Sequence, residues 1–397
     1  MKQPGLQVQD AGVIQEMTGL REGVRAMRVP RGLLFHDPIR WRLFSAPEGL
    51  APEKLRAFLR QNGLDDAAPE PARKPRLRQL FWVPMDQVPE RGLRTRPGAR
   101  FACVCCGKSC RTLQLGPVLP ADVERLLELD WSGSGRDTGT FFVDEYDQPI
   151  DPRETTLPIF LRRTSTGCQF LQDDNLCNVH ARFGMAAKPL MCRMFPHTFR
   201  ATPTAVSVGM RLGECASAPA TSLGLPVIEQ HPELEQMLAE HDAIGLVPPS
   251  IWATADRLIS WEEYEAIETA LFARSGDFVT AVFHAFNPGA QPGTGFERIL
   301  ERATLAGRRA QALEPAALEL EDRFCRGVVF GKDLFLHQDL AQAAALLVIK
   351  RELGRIEAAD GTPAALNAVW KKAAERSLRA MCHDVDVRAV AAAIVAS

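Results

Sequence analysis

The sequence has no long apolar segment and no large excess of charge of either sign. No stretch approaches the roughly eighteen consecutive apolar residues that a membrane-spanning helix requires. Residues 1–20 also lack the apolar core of a secretory signal peptide. The 47 basic and 49 acidic residues nearly balance, so the 397-residue chain has a net charge of −2. We therefore expect a cytoplasmic protein without a membrane partner, and we do not expect nucleic acid as its partner.

Cysteine is the residue type that the sequence concentrates in one place. Eight of the ten cysteines lie in one part of the chain, at Cys103, Cys105, Cys106, Cys110, Cys168, Cys177, Cys192 and Cys215. In a reducing compartment such a dense set indicates a metal or redox site and not a disulfide framework. We interpret all eight as candidate metal ligands. The other two, Cys325 and Cys382, fall on predicted helices, where we expect inert packing in a core.

Thiolates suit zinc or an iron–sulfur cluster and disfavour magnesium and calcium. Structural zinc usually shows paired C-x-x-C motifs. Here only Cys103 and Cys106 have that spacing, and the downstream cysteines come singly. The pattern therefore favours an iron–sulfur cluster, of the 4Fe–4S type for example, held from several loops, and zinc stays open as the alternative. The spacing does not decide between one site and two.

Three further side chains near the cysteines are candidates for a role at the site. His180 and His197 could each be a nitrogen ligand or a proton carrier, although an ordinary polar histidine is the simpler interpretation. Arg193 follows Cys192 directly and could donate hydrogen bonds to cluster sulfur. A surface salt bridge would explain Arg193 equally well.

The chain length predicts two or three domains. We place a first part at 1–98, as an N-terminal extension or small α+β module that ends in an Arg/Pro-rich linker. The basic excess of that linker is either a solvated surface or a patch that steers an acidic partner. The cysteine-cluster domain spans 99–220, and its shortage of ordinary core residues suggests that ligands hold it together. The helical C-terminal domain spans 221–397.

Apolar residues recur at helical spacing through the C-terminal part of the chain. The predicted helices are 261–274, 277–286, 296–313, 316–330, 338–353 and 363–381. The expected fold class is therefore mainly α, with a small, metal-organised α+β cysteine-cluster domain and a C-terminal helical bundle.

The cysteine pattern resembles a known family. The residues that carry the resemblance are Phe101, Cys103, Cys106, Gly107, Cys110, Arg111, Cys168, Phe170, Leu171, Cys177, Cys192, Arg193, Phe195 and Pro196. They look like the bacterial YkgJ-type cysteine-cluster family, which is described as a zinc- or iron-chelating domain. That family typically opens with F-x-C-x-x-C-G-x-C-C. Here Ser109 occupies the third cysteine position, and Cys105 is an additional cysteine that would substitute as a ligand.

The interval from Cys177 through Gly184 to Cys192, the later Cys215 and the helical C-terminal half are similar to the flagellin lysine N-methylases of the same broader group. This likeness implies methyl transfer from S-adenosylmethionine to lysine side chains of a protein substrate such as flagellin. A conventional nucleotide-binding turn is not evident, because the glycine pairs at 133–135 and 293–295 follow no convincing strand. The sequence predicts no catalytic residues.

Three functions thus remain open. The first, which the cysteine pattern favours, is a metal-binding cysteine-cluster protein with an iron–sulfur centre. The second is a protein-lysine N-methylase that uses S-adenosylmethionine. The third is a zinc-stapled interaction module in which the metal is architectural and the helical half binds a partner.

Overall fold

The structure is a computed structural model. It describes residues 13–14, 19–21, 23–29, 32–37, 42–47, 49–66, 78–88, 90–103, 105–114, 116–155, 157–211, 224–366 and 385–397. Cys215, Cys382 and most of the predicted helix 363–381 lie outside these residues. Among the described helices, none is long and apolar enough to cross a membrane.

The described strands are β1 (Val13–Ile14), β2 (Arg25–Val29), β3 (Gly32–Asp37), β4 (Arg42–Pro47), β5 (Phe81–Pro84), β6 (Leu93–Thr95), β7 (Arg100–Phe101), β8 (Phe142–Val143), β9 (Phe160–Leu161), β10 (Arg163–Thr164), β11 (Gly167–Cys168), β12 (His197–Ala201), β13 (Val206–Met210), β14 (Leu225–Pro226), β15 (Ala243–Leu246), β16 (Ser250–Trp252) and β17 (Leu258–Ser260). The described helices are α1 (Pro52–Gln61), α2 (Lys108–Thr112), α3 (Pro120–Glu128), α4 (Asn178–Phe183), α5 (Leu190–Met194), α6 (His231–Ala239), α7 (Trp261–Ala273), α8 (Phe278–Phe286), α9 (Phe296–Arg302), α10 (Pro315–Phe330), α11 (Leu340–Glu357) and α12 (Val387–Ala396).

The chain forms two compact units. Unit 1 combines Met1–Arg96, Phe199–Gly209 and Asp242–Ser397, and unit 2 combines Pro97–Thr198 and Met210–His241. The predicted division into domains at 1–98, 99–220 and 221–397 stays a prediction, because a compact unit need not fold independently.

Unit 1 contains two larger sheets. Strands β1 to β4 form an antiparallel sheet in sequence order. Its apolar face packs with α1, whose Leu55 and Leu59 are buried together with Phe35. The second sheet has the order β5-β15-β12-β13-β6, with β5 antiparallel to β15 and with the β12–β15 and β13–β6 pairs parallel.

The helical part of unit 1 is organised around α11, which packs against α8 and α12. Side chains on every face of α11 are buried, including Leu347, Ile349 and Leu353. Each fully buried side chain of this size contributes about 1.5–3 kcal/mol of hydrophobic stabilisation. Cys325 of α10 is fully buried and free, which agrees with the expected packing role.

The predicted fold class is wrong. The chain is 42% helical and 19% strand, with several small sheets, so it is not mainly α. The C-terminal helices also share their compact unit with both larger sheets and do not form a separate bundle. Many of the described strands have only two to four residues. Runs this short do not show the alternation by which a strand is recognised in a sequence.

Unit 2 has an ordinary apolar core, which corrects the expectation that its ligands alone would hold it together. The core contains Trp131, Phe141 and Phe170 among other buried residues. The ring centroids of Trp131 and Phe141 are 4.9 Å apart in an edge-to-face arrangement, and those of Trp131 and Phe170 are 5.5 Å apart in a stacked one. Such aromatic pairs add about 0.5–1.5 kcal/mol each beyond the area that they bury.

A cysteine-lined cavity as the candidate metal centre

Unit 2 contains a cavity of about 330 Å³ that brings the predicted ligands together. Seven of the eight candidates line it, namely Cys103, Cys105, Cys106, Cys110, Cys168, Cys177 and Cys192. All seven are free thiols. The eighth, Cys215, lies outside the described residues. Cys103 and Cys192, which are 89 positions apart in sequence, thus line one cavity.

The first three cysteines lie on a tight loop that leads into α2. Cys103 and Cys105 are exposed, and the backbone N–H of Cys105 donates a hydrogen bond to Sγ of Cys103 at 3.4 Å. Cys105 has a φ of 51°, an uncommon value for a non-glycine residue. Gly107 follows at φ 64°, and a Cβ there would lie 2.6 Å from Nη1 of Arg111. The end of the Arg111 side chain could move aside, so it is the left-handed φ that favours glycine at the residue before α2.

The other four cysteines come from four different elements. Cys110 lies on α2, Cys168 on β11 and Cys192 on α5, and Cys177 immediately precedes α4. Cys168, Cys177 and Cys192 pack against the aromatic core of unit 2. A backbone bridge between Leu171 and Cys177 closes the loop that joins β11 to α4. Regular structure and core packing thus fix the backbone of each of these cysteines.

Electrostatic interactions link all six pairs of this second group, Cys110, Cys168, Cys177 and Cys192. Burial raises the pKa of Cys168 to about 12, and the neighbouring thiols add to the shift. Burial likewise raises the pKa of Cys110 and of Cys192, while the nearby ammonium of Lys188 opposes both shifts. The raised pKa values keep Cys110, Cys168 and Cys192 protonated at neutral pH, whereas a coordinated thiol is deprotonated.

The two histidines that the sequence singled out both line the cavity, but their surroundings differ. His180 is exposed, whereas His197 is only 7% exposed and begins β12. Burial lowers the pKa of His197 to about 4, so the ring is neutral at pH 7. Its ring meets Phe101 edge to face, with 5.3 Å between the centroids.

Of the two roles considered for Arg193, hydrogen bonding to cluster sulfur and a salt bridge, the structure shows a salt bridge, with Glu240. Its Nη1 lies 3.0 Å from Oε1 of Glu240, and its Nη2 contacts the other carboxylate oxygen. The hydrogen bond from Arg193 lowers the pKa of Glu240. The Nε of Arg193 donates to the carbonyl of Lys188 at 3.1 Å. This arginine therefore fastens α5, which carries Cys192, to the segment before it and to the residue after α6.

The fit of these residues to a metal can be judged from the donor atoms. The cavity offers seven soft thiols and two imidazoles, and Glu233 is the carboxylate among its lining residues. This donor set matches zinc or iron–sulfur chemistry and not that of a hard cation. Among the residues that the structure describes, no group of three or more His, Cys, Asp or Glu side chains is placed to hold a metal ion. The residues therefore fit a metal centre in the chemistry of their donor atoms and in lining one cavity.

Comparison of the chain with family models, with curated proteins and with solved structures gives no match. The likeness of the cysteine pattern to the YkgJ-type family accordingly stays a prediction.

Sequence reasoning did not anticipate two features of the cavity. Lys188 lines it and acts on two thiols, although nothing in the sequence distinguishes it from a surface lysine. Apolar side chains also form part of its wall, among them Leu171, Leu234 and Met237. The last two come from α6, which is far from the cysteines in sequence and carries no motif.

Proposed function

We propose that the protein binds a metal centre in the cysteine-lined cavity of unit 2, and that this centre is an iron–sulfur cluster in preference to zinc. The observation that supports the proposal is the convergence of seven free thiols on one cavity. Packing alone gives no reason to gather so many cysteines, since a buried cysteine behaves as a small apolar side chain.

The second cysteine group, Cys110, Cys168, Cys177 and Cys192, is the best candidate for the primary ligand set. Its four thiols interact pairwise, and each comes from a separate element. Cys103, Cys105 and Cys106 would complete a second site or replace a member of the first. Uptake of the centre would require rotation of cysteine side chains, because no three are in place for one ion among the described residues.

The cavity volume favours a cluster over a single zinc ion. Zinc with Zn–S bonds of about 2.3 Å fills the space between its own ligands. A cavity of about 330 Å³ is much larger than a single ion held between four ligands. This space suits a group with several metal and sulfide atoms. When bound, such a cluster supplies a one-electron redox couple, and a cytoplasmic location would keep the thiols reduced for its assembly.

Substitution of individual cysteines tests the proposal. We expect Cys168→Ser and Cys192→Ser to lose bound metal and to lower the melting temperature of the metal-loaded protein, because ligand binding stabilises the folded state. Cys325→Ser is the matched control, since Cys325 is buried in unit 1 away from the cavity lining, and it should keep the full metal content.

The metal-free wild-type protein provides the second reference. If the serine variants melt at the same temperature as the metal-free wild type, their lower melting temperature results from the missing metal centre and not from damage to the apolar core. Metal content and melting that remain unchanged in both Cys168→Ser and Cys192→Ser would contradict the ligand assignment.

A further inference from the structure

His197 is a buried polar side chain whose Nδ1 has no hydrogen-bond partner among the described residues. The other buried charged or polar side chains described in unit 2 are Asp122 and Asp144. Asp122 accepts a hydrogen bond from the backbone N–H of Leu190 at 2.8 Å, and Asp144 accepts one from Tyr146 at 2.8 Å. Gln172, Asn178 and His231 of unit 2 also have a buried side-chain atom without a partner among the described residues, but they are not among the residues that line the cavity. His197 is such a residue and does line it.

Native proteins rarely leave a buried polar atom without a partner, because the group has lost its hydrogen bonds to water and gained nothing in exchange. Such an atom calls for a specific explanation. Here the residue lines the same cavity as the seven thiols. A group bound in the cavity would supply the partner that the protein itself does not provide.

The surroundings of His197 hold the ring in place. Its edge-to-face contact with Phe101 positions the imidazole, and Phe101 is itself fixed in β7, which pairs with β14. The preceding residue is also anchored, since the carbonyl of Pro196 accepts a hydrogen bond from the N–H of Arg211 at 2.7 Å. Only four residues separate His197 from Cys192, so both belong to one short, well-supported segment.

We propose that Nδ1 of His197 is a nitrogen donor to the metal centre, an inference that rests on the function proposed above. Sets of cysteine and histidine ligands occur in zinc sites, and in some iron–sulfur centres histidine replaces cysteine on one iron. A neutral imidazole in place of a thiolate raises the reduction potential of such a centre. His197 would therefore take part in setting the potential as well as in binding.

The test is spectroscopic and has a matched control in the same cavity. His180 also lines the cavity but is exposed, so His180→Gln controls for the loss of a histidine. The reduced, iron-loaded protein is labelled with ¹⁵N-histidine and measured by pulsed electron paramagnetic resonance. We expect a nitrogen coupling that changes with the isotope in the wild type, that persists in His180→Gln and that disappears in His197→Gln. If the protein holds zinc, imidazole scattering in the X-ray absorption spectrum replaces this readout.

The wild-type measurement does not depend on whether the variant folds. A wild-type protein that holds a metal centre without a histidine nitrogen coupling, or a coupling that survives in His197→Gln, overturns this inference and leaves the proposed function intact. A wild-type protein that takes up neither iron nor zinc overturns both. A reduction potential that falls in His197→Cys, where a thiolate takes the place of the imidazole, would further support the nitrogen ligand.

Discussion

Gly167 is the residue on which the approach of two cysteine-bearing segments depends. It opens β11, directly before Cys168, and has a φ of +127°. A Cβ at this position would lie 2.7 Å from the carbonyl oxygen of Cys110 and 2.8 Å from Cα of Arg111. Both atoms belong to backbone, which cannot swing aside as the end of a side chain can. Gly167→Ala must therefore push β11 away from α2 and separate Cys168 from Cys110.

The magnitude follows from two effects. A side chain at this positive φ costs about 1–3 kcal/mol of backbone strain, and the forced contact adds about 1–3 kcal/mol, as overpacking does in other cores. We therefore expect Gly167→Ala to lose about 2–6 kcal/mol of unfolding free energy. With an m-value of about 2 kcal/mol per M, the urea midpoint would fall by about 1–3 M.

Gly133→Ala is the matched control for this experiment. Gly133 lies in unit 2 and also has a positive φ, of +68°, but a Cβ there would meet nothing within 4 Å. Its substitution should cost only about 1–2 kcal/mol, the penalty of the left-handed conformation. We expect metal content to fall in Gly167→Ala and to stay unchanged in Gly133→Ala. Equal urea midpoints and equal metal contents in the two variants would refute the idea that this close contact positions the thiols.

Two further predictions concern unit 1. His36 is buried, and neither of its ring nitrogens has a hydrogen-bond partner among the described residues. Burial lowers its pKa to about 3, against 6.5 in the unfolded chain. The unfolded state then binds the proton first as the pH falls, so this residue lowers the unfolding free energy by about 2 kcal/mol between pH 7 and pH 5. Urea unfolding at pH 7 and pH 5 should show that His36→Phe loses less unfolding free energy than the wild type between the two pH values, by about 2 kcal/mol. An identical pH dependence in both proteins would contradict the assignment. Glu268 and Lys332 form an ion pair with side chains 1% and 0% exposed. Glu268→Gln leaves a buried ammonium without its counter-charge and should lower the unfolding free energy by about 3–5 kcal/mol. The double variant with Lys332→Met should recover most of this loss. Strictly additive losses in this double-mutant cycle would contradict a buried ion pair.

The helices α7, α8, α10 and α11 could be predicted from the sequence because each is long enough to display its period. The predicted helix 261–274 is α7 (Trp261–Ala273), and 316–330 is α10 (Pro315–Phe330). The predicted helix 296–313 is wrong beyond Arg302, where α9 ends. The residues that follow Arg302 include Gly307, whose φ of 73° does not fit a continuous helix.

The five-stranded sheet could not be predicted because most of its paired strands are remote in sequence. Strand β5 pairs with β15 through Phe81 and Leu246, and β6 pairs with β13 through Leu93 and Val206. Pairing over such distances depends on the final packing of the chain and leaves no local pattern in a strand of three or four residues. The fold-class error follows from this limit.

In the candidate site, too, features that depend on residues close in sequence could be predicted, and features that depend on residues far apart in sequence could not. The spacing of Cys103, Cys106 and Cys110 was sufficient to predict that they lie near one another, because thiols so close in sequence are also close in space, and all three line the cavity. The burial of His197 could not be foreseen, since its neighbour Phe101 comes from a strand almost a hundred residues earlier. The sequence offered only its proximity to Cys192 as a signal.

The most direct test of the central claim is analysis of metal and sulfide in protein purified without air, with an absorption spectrum recorded before and after dithionite. We predict iron with matching sulfide and a brown colour that dithionite bleaches, as for thiolate-bound iron–sulfur centres. Zinc without sulfide would contradict the iron–sulfur centre and make the site structural. Protein that holds neither metal, even after incubation with iron and sulfide, would contradict a metal centre in this cavity.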